Sequence, residues 1–326
     1  MASQISRAGA NVLEFKAGRS GLFKADSNVA LLDTILKSDI SLIHVHGHSI
    51  GPAAKALADA ANIPLVQSCM EAPVHDGFFS RRTAKRQLNG RPILVPSEYL
   101  RTLISERFDV PLNEIKLARP GLDIELHSDI SISTQRTISL AEKWGVIEDA
   151  RPIVLVPQAT RDVKWLKYLA TSAKDGPDAL WIFIDPMAAE NDVPPHGFSS
   201  DRLRWVGNCD DVPAAIKLAS VVLSLPDSPR SSDEIALEAQ AMGKPVILAD
   251  HGAAREMLLE DKSGWLVKPG DAPDLDAAVT QVIDLDESQR AHLAMAARSF
   301  IQAQYSMKDA HQRILDIYAR VATQEI

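Results

Sequence analysis

The segment between residues 221 and 267 constrains the fold of this chain more than any other part of the sequence. It predicts an apolar strand at Val221–Leu225, followed by a polar loop at 226–233. A helix at Ser232–Met242, ended by Gly243, then leads to a second apolar strand at Val246–Ala249. Two parallel strands joined by one helix form a βαβ unit, and ligands bind beyond the carboxyl ends of such strands. The loop at 226–233 and Glu238 are therefore the first candidates for a functional site.

The same alternation of apolar runs and helical patterns extends along the chain and is typical of parallel α/β proteins. Strands are predicted at Val12–Phe15, Ser41–His46, Pro64–Ser68, Pro92–Val95, Ile115–Ala118, Ile153–Val156, Leu180–Ile184, Leu203–Val206, Val221–Leu225, Val246–Ala249 and Gly264–Val267. Helices are predicted at 28–37, 52–61, 80–88, 97–108, 133–144, 161–173, 212–219, 232–242, 272–282, 287–303 and 307–321. A polar segment at 148–152 separates two such series, which predicts two domains.

Composition excludes several classes of protein. A length of 326 residues suffices for two α/β domains, and 46% apolar with 24% charged residues is ordinary for a globular protein. The formal charge of −8 argues against a nucleic-acid binder. No apolar run reaches about 18 residues, so no spanning helix is expected. The first residues lack the apolar core of a signal peptide, which favours a cytoplasmic protein.

The two cysteines, Cys69 and Cys209, have no metal-binding or redox spacing. Their pattern fits a reducing compartment. We interpret both as small buried residues rather than as reactive groups.

Six short motifs carry a resemblance to a known family. They are Ser97–Leu100, Arg107–Pro111, Arg119–Asp123, Glu238–Val246, Gly252–Glu256 and Gly264–Asp271. Together they resemble family 4 glycosyltransferases with the GT-B fold, over residues 40–320. The resemblance implies two Rossmann-like domains facing a cleft: an acceptor-side domain at 1–148 and a nucleotide-sugar domain at 149–304. It also implies a last helix, 305–326, that crosses back to the first domain. The start of the chain shows no counterpart of the family's opening strand and glycine-rich loop, so the first βα unit is expected to be absent.

The resemblance implies a donor-binding site in the second domain. Glu238 matches the family glutamate that holds the ribose hydroxyls, and a carboxylate can accept from both of them. Lys164 matches the lysine that binds the diphosphate, and Arg161 can reach the same volume from a neighbouring position. Gly252 lies in a matching motif and belongs to the same implied site. No cofactor or metal is implied beyond the nucleotide sugar, since basic side chains and helix N-termini can neutralise its phosphates.

The chain departs from the family at four positions. Met70 stands where a strand of the family ends in a histidine, and Ala159 stands where the family has an arginine. Trp165 replaces the glycine after the lysine, and Arg230 replaces the first of two glutamates that lie eight positions apart. Removing one transition-state donor can lower a rate by about 10²–10³, so these departures favour weakened catalysis.

Each implied site residue also has a purely structural interpretation. Lys164 and Lys167 can be a solvated face of a helix. Glu238 can be a helix carboxylate paired with Arg230 or Lys244. Both interpretations stay open from sequence alone.

Arg230 can bind a phosphate or form an internal ion pair with Glu238 or Glu234. We favour the internal pair, because carboxylates are always present whereas a ligand is not. The loop also contains three possible N-cap residues, Ser231, Ser232 and Asp233. The carboxylates of Asp233 and Glu234 would each repel a diphosphate by about 1 kcal/mol.

His44, His46 and His48 form a second candidate cluster. Strand alternation places alternate residues on one face, which suits a metal, but Gly47 is expected to end the strand and turn His48 away. No cysteine or carboxylate completes a ligand set nearby. The histidines are therefore interpreted as lining the acceptor side of the cleft, with ordinary loop histidines as the alternative and with no metal.

A basic stretch contains Arg81, Arg82, Lys85 and Arg86. Related enzymes often touch membranes through their N-terminal domain, and each cation near an anionic surface contributes about 1 kcal/mol. Peripheral contact with the inner face of a membrane is one interpretation, and a solvated helix face is the other.

Two functions follow from the resemblance. The first is a retaining, metal-independent glycosyltransferase that moves a sugar from a nucleotide sugar to a polysaccharide or glycolipid acceptor. The second is a non-catalytic relative that binds sugars or acts as the partner of an active transferase. The framework around Glu238 favours the first, and the departures at Met70, Ala159 and Arg230 favour the second.

Overall fold

A computed structural model describes residues 33–47, 51–72, 82, 84–86, 88, 91–159, 162–188, 195 and 200–323. These residues form two compact units. The first unit contains the chain up to Val95, Arg101–Leu117 and the chain from Ile314, and the second contains Pro96–Leu100 and Ala118–Arg313. The predicted strand at Val12–Phe15 lies outside the described residues.

The first unit is built on a four-stranded parallel sheet in the order β1-β2-β3-β4. Its strands are β1 (Ile43–His46), β2 (Leu65–Ser68), β3 (Ile93–Val95) and β4 (Ile115–Leu117). Its helices are α1 (Gly51–Ala61) and α2 (Glu98–Phe108), and the first turn of α2 is part of the second unit. Residues 33–37 and the described residues between 82 and 88 are also helical. The four strand predictions that fall on described residues of this unit are confirmed to within two residues.

The second unit is built on a six-stranded parallel sheet in the order β10-β9-β8-β5-β6-β7. Its strands are β5 (Ile153–Val156), β6 (Leu180–Ile184), β7 (Leu203–Val206), β8 (Val221–Ser224), β9 (Val246–Ala249) and β10 (Gly264–Val267). Its helices are α3 (Thr134–Trp144), α4 (Val163–Asp175), α5 (Val212–Leu218), α6 (Glu234–Ala241), α7 (Ala272–Ile283), α8 (Glu287–Tyr305) and the start of α9 (Met307–Ala322). Five of these strands have the predicted bounds, and β8 ends one residue earlier than predicted.

The strand order of the second unit identifies where a ligand would bind. The chain leaves β5 in one direction along the sheet to form β6 and β7, and it returns to the other side of β5 to form β8, β9 and β10. This is the doubly wound order, and the crevice at the reversal of strand order is the usual ligand site. The reversal lies between β5 and β8, so the loops after these two strands flank it.

Both faces of this sheet are covered by helices, which explains why its strands read as continuous apolar runs. Successive residues of one strand enter different clusters, as alternation requires. Leu155 and Ile182 pack with α5 and α6 on one face, whereas Val154 and Trp181 pack with α4 and α7 on the other. All five residues of β6 are buried.

Aspartates begin several helices of the second unit. The carboxylate of Asp162 accepts a hydrogen bond from Trp165 N at 2.9 Å, and that of Asp233 accepts one from Ala236 N at 3.1 Å. Helices α4 and α6 consequently begin two residues later than the sequence patterns predict. Among the three possible caps of α6, Asp233 takes the role, because its backbone is extended and its side chain reaches the first turn.

The start of α2 has a cap that is distant in sequence. Ser97 is a local cap, since its Oγ accepts from Leu100 N at 3.3 Å. In addition, Glu256 accepts from Glu98 N at 2.8 Å through Oε2 and from Tyr99 N at 2.7 Å through Oε1. Two backbone N–H groups that a helix leaves unpaired are thereby satisfied by one carboxylate.

Replacing Glu256 with alanine is expected to destabilise the second unit by about 2 kcal/mol, because two charge-assisted hydrogen bonds to a helix start are lost. Urea denaturation followed by circular dichroism measures the change. Glu260→Ala is the matched control, since this exposed glutamate only approaches Arg255 Nη1, at 3.6 Å. The control should change stability by less than about 0.5 kcal/mol. Equal effects of the two substitutions would contradict the capping role.

A close backbone contact joins the segment after β4 to the corner between α8 and α9. Leu122 N donates to Tyr305 O at 2.7 Å, and Met307 N donates to Leu122 O at 3.1 Å. A Cβ at Gly121 would lie 2.7 Å from Met307 Cα, so only glycine fits.

Within the described ranges, no helix has both the length and the apolar character that crossing a bilayer requires.

Candidate functional site

A pocket of about 360 Å³ lies at the reversal of strand order in the second unit. It is formed by the start of α4, the loop after β8, the end of β9 and the loop after β10. The residues that line it are Asp162, Lys164, Trp165, Tyr168, Leu225, Pro226, Asp227, Ala249, Pro269 and Gly270. The pocket thus lies where the strand order predicts a ligand.

Lys164 and Lys167 lie on the same helix but face different surroundings. Both side chains are exposed, and only Lys164 lines the pocket. Lys164 forms no ion pair with any of the described residues. Its ammonium group is therefore available to an anionic ligand. Lys167 instead lies on the solvated face of the helix, where the structural interpretation had placed both lysines.

Trp165 closes part of the space beside Lys164. The indole is buried, with 7% of its surface exposed, and its Nε1–H donates to Leu225 O at 2.5 Å. This bond joins the first turn of α4 to the end of β8. A glycine at this position would let a ligand approach the backbone. The indole of Trp165 occupies that space and blocks the approach.

Ala159 belongs to the protein core. Its exposed fraction is 5%, and its backbone N–H donates to Ile184 O at 2.8 Å. A side chain at this position extends into apolar surroundings, so the position does not supply a cation to the pocket. Arg161, the predicted substitute, lies outside the described residues.

Arg230 is paired internally, but the predicted partners are wrong. Its Nη1 donates to the side-chain oxygen of Gln158 and lies 4.0 Å from Asp233 Oδ2. It pairs with neither Glu234 nor Glu238. The reason is that Arg230 precedes the first turn of α6, where Asp233 is turned inward as the cap while Glu234 is exposed. Arg230 therefore bridges the loops after β5 and β8.

Gly252 supports the loop that carries Arg230. Its φ is +62°, and a Cβ would lie 2.4 Å from Arg230 O and 2.7 Å from Arg230 N. The neighbouring Ala253 N donates to Arg230 O at 2.9 Å. Gly252 lets two backbone segments touch and thereby positions the side chain of Arg230.

Glu238 faces a histidine rather than the predicted cations. Its Oε2 lies 3.9 Å from Nδ1 of His127, and both side chains are mostly buried. Lys244, one predicted partner, instead donates to the carbonyl oxygens of Lys217 and Ala219 at 2.7 and 2.9 Å. The interpretation of Glu238 as paired with Arg230 or Lys244 is therefore wrong, because both cations have partners elsewhere.

The surroundings of Glu238 favour its neutral form. Burial, followed by the nearby carboxylates of Glu234 and Asp233, raises the pKa of Glu238 to about 7. The pKa of His127 is lowered, because the effect of burial exceeds the opposing effect of the Asp123 carboxylate. The pair thus combines a neutral imidazole with a carboxyl group that titrates near neutral pH, which is a feature of functional sites.

The first turn of α6 contains a second internal contact. Ser224 Oγ donates to the Asp233 carboxylate that also caps the helix. A buried carboxylate therefore occupies the positive end of α6, as the sequence predicted for this loop. A diphosphate at this helix start would have to approach that negative charge.

His44 and His46 lie on one face of β1 in the first unit. Their ring centroids are 4.3 Å apart, and the strand ends at His46 before Gly47, which has φ +97°. His48 lies outside the described residues. His44 is held through both nitrogens: Nδ1 bonds with Tyr318 Oη, and Nε2 lies 2.7 Å from Ser68 Oγ.

The surroundings of His44 favour its neutral form. Burial and then the neighbouring His46 lower the pKa of His44 to about 4. In the described part of the chain, no group of three or more histidine, cysteine, aspartate or glutamate side chains is arranged to hold a metal ion. Met70, at the position where the family has a histidine, is exposed just beyond β2.

The cysteines differ in their surroundings. Cys69 is fully buried, its Sγ donates to Glu71 O at 3.0 Å, and burial raises its pKa to about 12. This confirms the interpretation as a small buried residue. Cys209 is only half-buried, and burial raises its pKa as well.

The basic stretch is only partly described. Arg82 and Arg86 are exposed, whereas Lys85 lies 3.6 Å from Asp109. Arg81 lies outside the described residues. Of the three cations that the structure describes here, Lys85 is thus paired within the first unit.

Sequence reasoning did not identify His127 or the cap formed by Glu256. His127 lies four residues after Asp123, the last residue of the Arg119–Asp123 motif. This spacing is the only local signal that places His127 near Glu238. Glu256 lies in a matching motif, but the helix that it caps is far away in sequence.

Comparison with known proteins identifies the family and the fold. The family model for glycosyl transferases group 1 matches residues 198–300. A curated relative, D-inositol 3-phosphate glycosyltransferase from Corynebacterium urealyticum, is 31% identical over 309 residues, or 86% of this chain and 72% of the relative. Alignments with three other curated relatives cover 21%, 53% and 50% of their lengths, so the chain spans about half or less of those proteins.

Two solved structures share the fold. A glycosyltransferase from Rickettsia africae superposes with a TM-score of 0.83 at 16% identity, covering 98% of this chain and 87% of that one. Alr3699/HepE from Anabaena, solved in complex with UDP, superposes with a TM-score of 0.80 at 18% identity, covering 97% and 88%. At these identities the likeness concerns the GT-B fold alone. Fold, family model and relatives agree, and the chain belongs to the group 1 glycosyltransferases, the family 4 type with the GT-B fold.

Proposed function

We propose that this protein is a retaining glycosyltransferase that moves a sugar from a nucleotide sugar to a glycan or lipid-linked acceptor without a metal. The observation that carries the proposal is the pocket at the reversal of strand order, with the unpaired ammonium group of Lys164 on its wall. A pocket at this point of a doubly wound sheet is the expected site of a nucleotide.

The residues support a division of roles. Transfer breaks the bond between the anomeric carbon and the diphosphate oxygen and forms a bond from that carbon to an acceptor hydroxyl. Lys164 would offset the charge that develops on the departing diphosphate. Glu238, on the helix that begins beside the pocket, would bind hydroxyl groups of the nucleotide ribose. In this proposal basic side chains take the place of a metal ion.

The comparisons suggest which ligands to test first. Two structures of the Anabaena protein are described as complexes with UDP and with UDP-glucose. Several relatives are named for transfer to D-inositol 3-phosphate. A uridine nucleotide is therefore the first donor to test, and D-inositol 3-phosphate is one acceptor to test beside glycans and lipid-linked sugars.

A second candidate function, a non-catalytic protein that binds sugars or assists an active transferase, is favoured by three observations. Ala159 is buried where the family has a cation, Arg230 is engaged by Gln158 and Asp233, and Met70 replaces a histidine. These departures remove groups that stabilise a transition state, whereas binding needs fewer such groups.

Membrane contact through Arg81, Arg82, Lys85 and Arg86 stays a prediction, which the exposure of Arg82 and Arg86 supports.

A binding measurement tests the donor site. Purified protein is heated with UDP, GDP, ADP, CMP and their common sugars. A ligand at about 100 times its Kd should stabilise the protein by about 2.7 kcal/mol and raise Tm by a few degrees. Lys164→Ala should weaken binding of that nucleotide by about tenfold or more, because one charge-assisted contact is lost. Lys167→Ala, on the same helix but away from the pocket wall, should change it less than about twofold.

The outcomes separate the two functions. Binding together with transfer of the sugar to an acceptor supports the transferase. Binding without any transfer or hydrolysis of the nucleotide sugar supports the non-catalytic function. If no nucleotide raises Tm at millimolar concentration, or if both lysine variants behave alike, the proposed donor site is wrong.

A further inference from the structure

We infer that His127 is a positioning residue for Glu238: its Nδ1–H orients the carboxylate through Oε2 and leaves the other oxygen for a ligand hydroxyl. The ligand role of Glu238 rests on the proposed function, whereas the pairing rests on geometry. Nδ1 and Oε2 face each other across 3.9 Å, and the side chains retain only 21% and 20% exposure. His127 lies outside the six motifs that carry the family resemblance.

The histidine nitrogen needs a partner. Nδ1 of His127 is buried and makes no hydrogen bond with any of the described residues. A buried polar atom without a partner costs free energy, and Glu238 Oε2 is the acceptor that faces it. The gap exceeds a normal N–H···O distance by about 1 Å, which small rotations of the two side chains can close.

Hydrogen bonds of the surrounding turn fix the backbone of His127. His127 N donates to Asp123 O at 3.0 Å, and Asp123 Oδ1 accepts from the N–H groups of Glu125 and Leu126, both at 3.2 Å. The histidine thus lies at the end of a turn whose other hydrogen bonds are made. A group on such a turn is suited to orient a second side chain.

The charges around Glu238 explain why the carboxylate needs this donor. Asp233 and Glu234, on its own helix, repel the ionised form. The basic side chains of the segments that flank α6, and Arg298 of α8, which packs on α6, have other partners: Lys244 binds backbone carbonyls, Arg298 binds Met242 O at 3.1 Å, and Arg230 binds Gln158 and approaches Asp233. On the turn that faces the helix, the charged neighbour of His127 is Asp123. A neutral imidazole N–H is therefore the group placed to stabilise the ionised carboxylate.

Two substitutions separate this role from packing. His127→Phe keeps a planar ring but removes Nδ1–H. His127→Asn loses most of the ring but keeps an N–H donor at the same bond distance from the backbone. Carbon-detected NMR of the Glu238 carboxyl group, in ligand-free protein, reports its titration in wild type and both variants.

The Phe variant is expected to raise the Glu238 pKa by about 1, since a hydrogen bond to the ionised form is lost. The Asn variant should leave it within about 0.3 of the wild-type value. An unchanged pKa in the Phe variant, or equal changes in both variants, would overturn the inference. Thermal midpoints and circular dichroism establish that both variants are folded.

Binding of the nucleotide that stabilises wild type, among UDP, GDP and ADP, gives a second readout. Because the ionised fraction falls, the Phe variant should bind about fivefold more weakly at pH 7 and within about twofold at pH 9.5. A loss that is independent of pH would indicate packing alone and would overturn the positioning role. If wild type binds no nucleotide, the proposed function fails, while the ligand-free titration still decides whether His127 and Glu238 are paired.

Discussion

Replacing Glu238 with glutamine is expected to stabilise the protein, and to do so more at pH 8 than at pH 5. Burial, with smaller contributions from Glu234 and Asp233, raises the pKa of Glu238 from 4.5 to about 7. Between these values the folded state holds a proton that the unfolded state has lost. Stability therefore falls as pH rises through this window and is lowest above it. The ionised carboxylate costs about 3 kcal/mol at pH 8, and glutamine removes that cost.

Urea denaturation of wild type and Glu238→Gln at pH 5 and pH 8 measures the effect. At pH 5 both side chains are mostly neutral in the folded state, so the two proteins should differ by less than about 1 kcal/mol. Glu287→Gln is the matched control, since this glutamate is exposed in the first turn of α8. Its loss should destabilise by at most about 0.5 kcal/mol, through the helix dipole. If Glu238→Gln gains no more stability at pH 8 than at pH 5, Glu238 is not a strained carboxylate.

The stabilised variant is also expected to bind the donor nucleotide more weakly, because an amide cannot accept from two hydroxyls as a carboxylate does. A residue that destabilises the fold while serving the ligand is the usual trade-off at functional sites. Gains in stability and losses in binding from one substitution would therefore assign Glu238 to function rather than to structure.

Replacing Gly252 with alanine is expected to destabilise the second unit by about 3–4 kcal/mol. A non-glycine residue at its φ of +62° costs about 1–2 kcal/mol. The added Cβ would also lie 2.4 Å from Arg230 O and 2.7 Å from Arg230 N, both of them backbone atoms. Such overpacking costs about 1–3 kcal/mol more, because the loop has to move. The loop that carries Arg230 should shift with it.

Gly145→Ala isolates the backbone part of this effect. Gly145 has nearly the same φ, +63°, at the end of α3, and a Cβ there would meet nothing within 4 Å. The control should cost only about 1–2 kcal/mol. Chemical denaturation of both variants gives the difference, and equal losses would mean that the contact with Arg230 is not tight.

Most of the second unit follows from local sequence. Strands such as β5, β6 and β9 are short apolar runs between polar segments, because parallel strands are buried on both faces. Helix starts were located less well: α4 and α6 begin two residues later than the patterns suggest. Several neighbouring polar residues can act as a cap, and the choice of Asp162 and Asp233 depends on backbone geometry.

The partners of the site residues did not follow from sequence in the same way. Arg230 was expected beside Glu234 or Glu238, yet Gln158 and Asp233 engage it. Spacing along a helix predicts which residues share a face. It does not predict which loop of another strand packs against that face. The bond between Trp165 and Leu225 O has the same origin, since it joins two loops that only the sheet brings together.

The sequence by itself determined the doubly wound architecture, the family and the helix that carries Glu238, because these depend on patterns within one element and its nearest turns. Only the tertiary structure decided that Glu238 faces His127, that Glu256 caps α2, and that Lys164 is the unpaired cation of its pocket among the described residues. These pairings depend on which distant segments meet when the sheet forms. Burial at those meeting points, rather than residue type, sets the charge of each group.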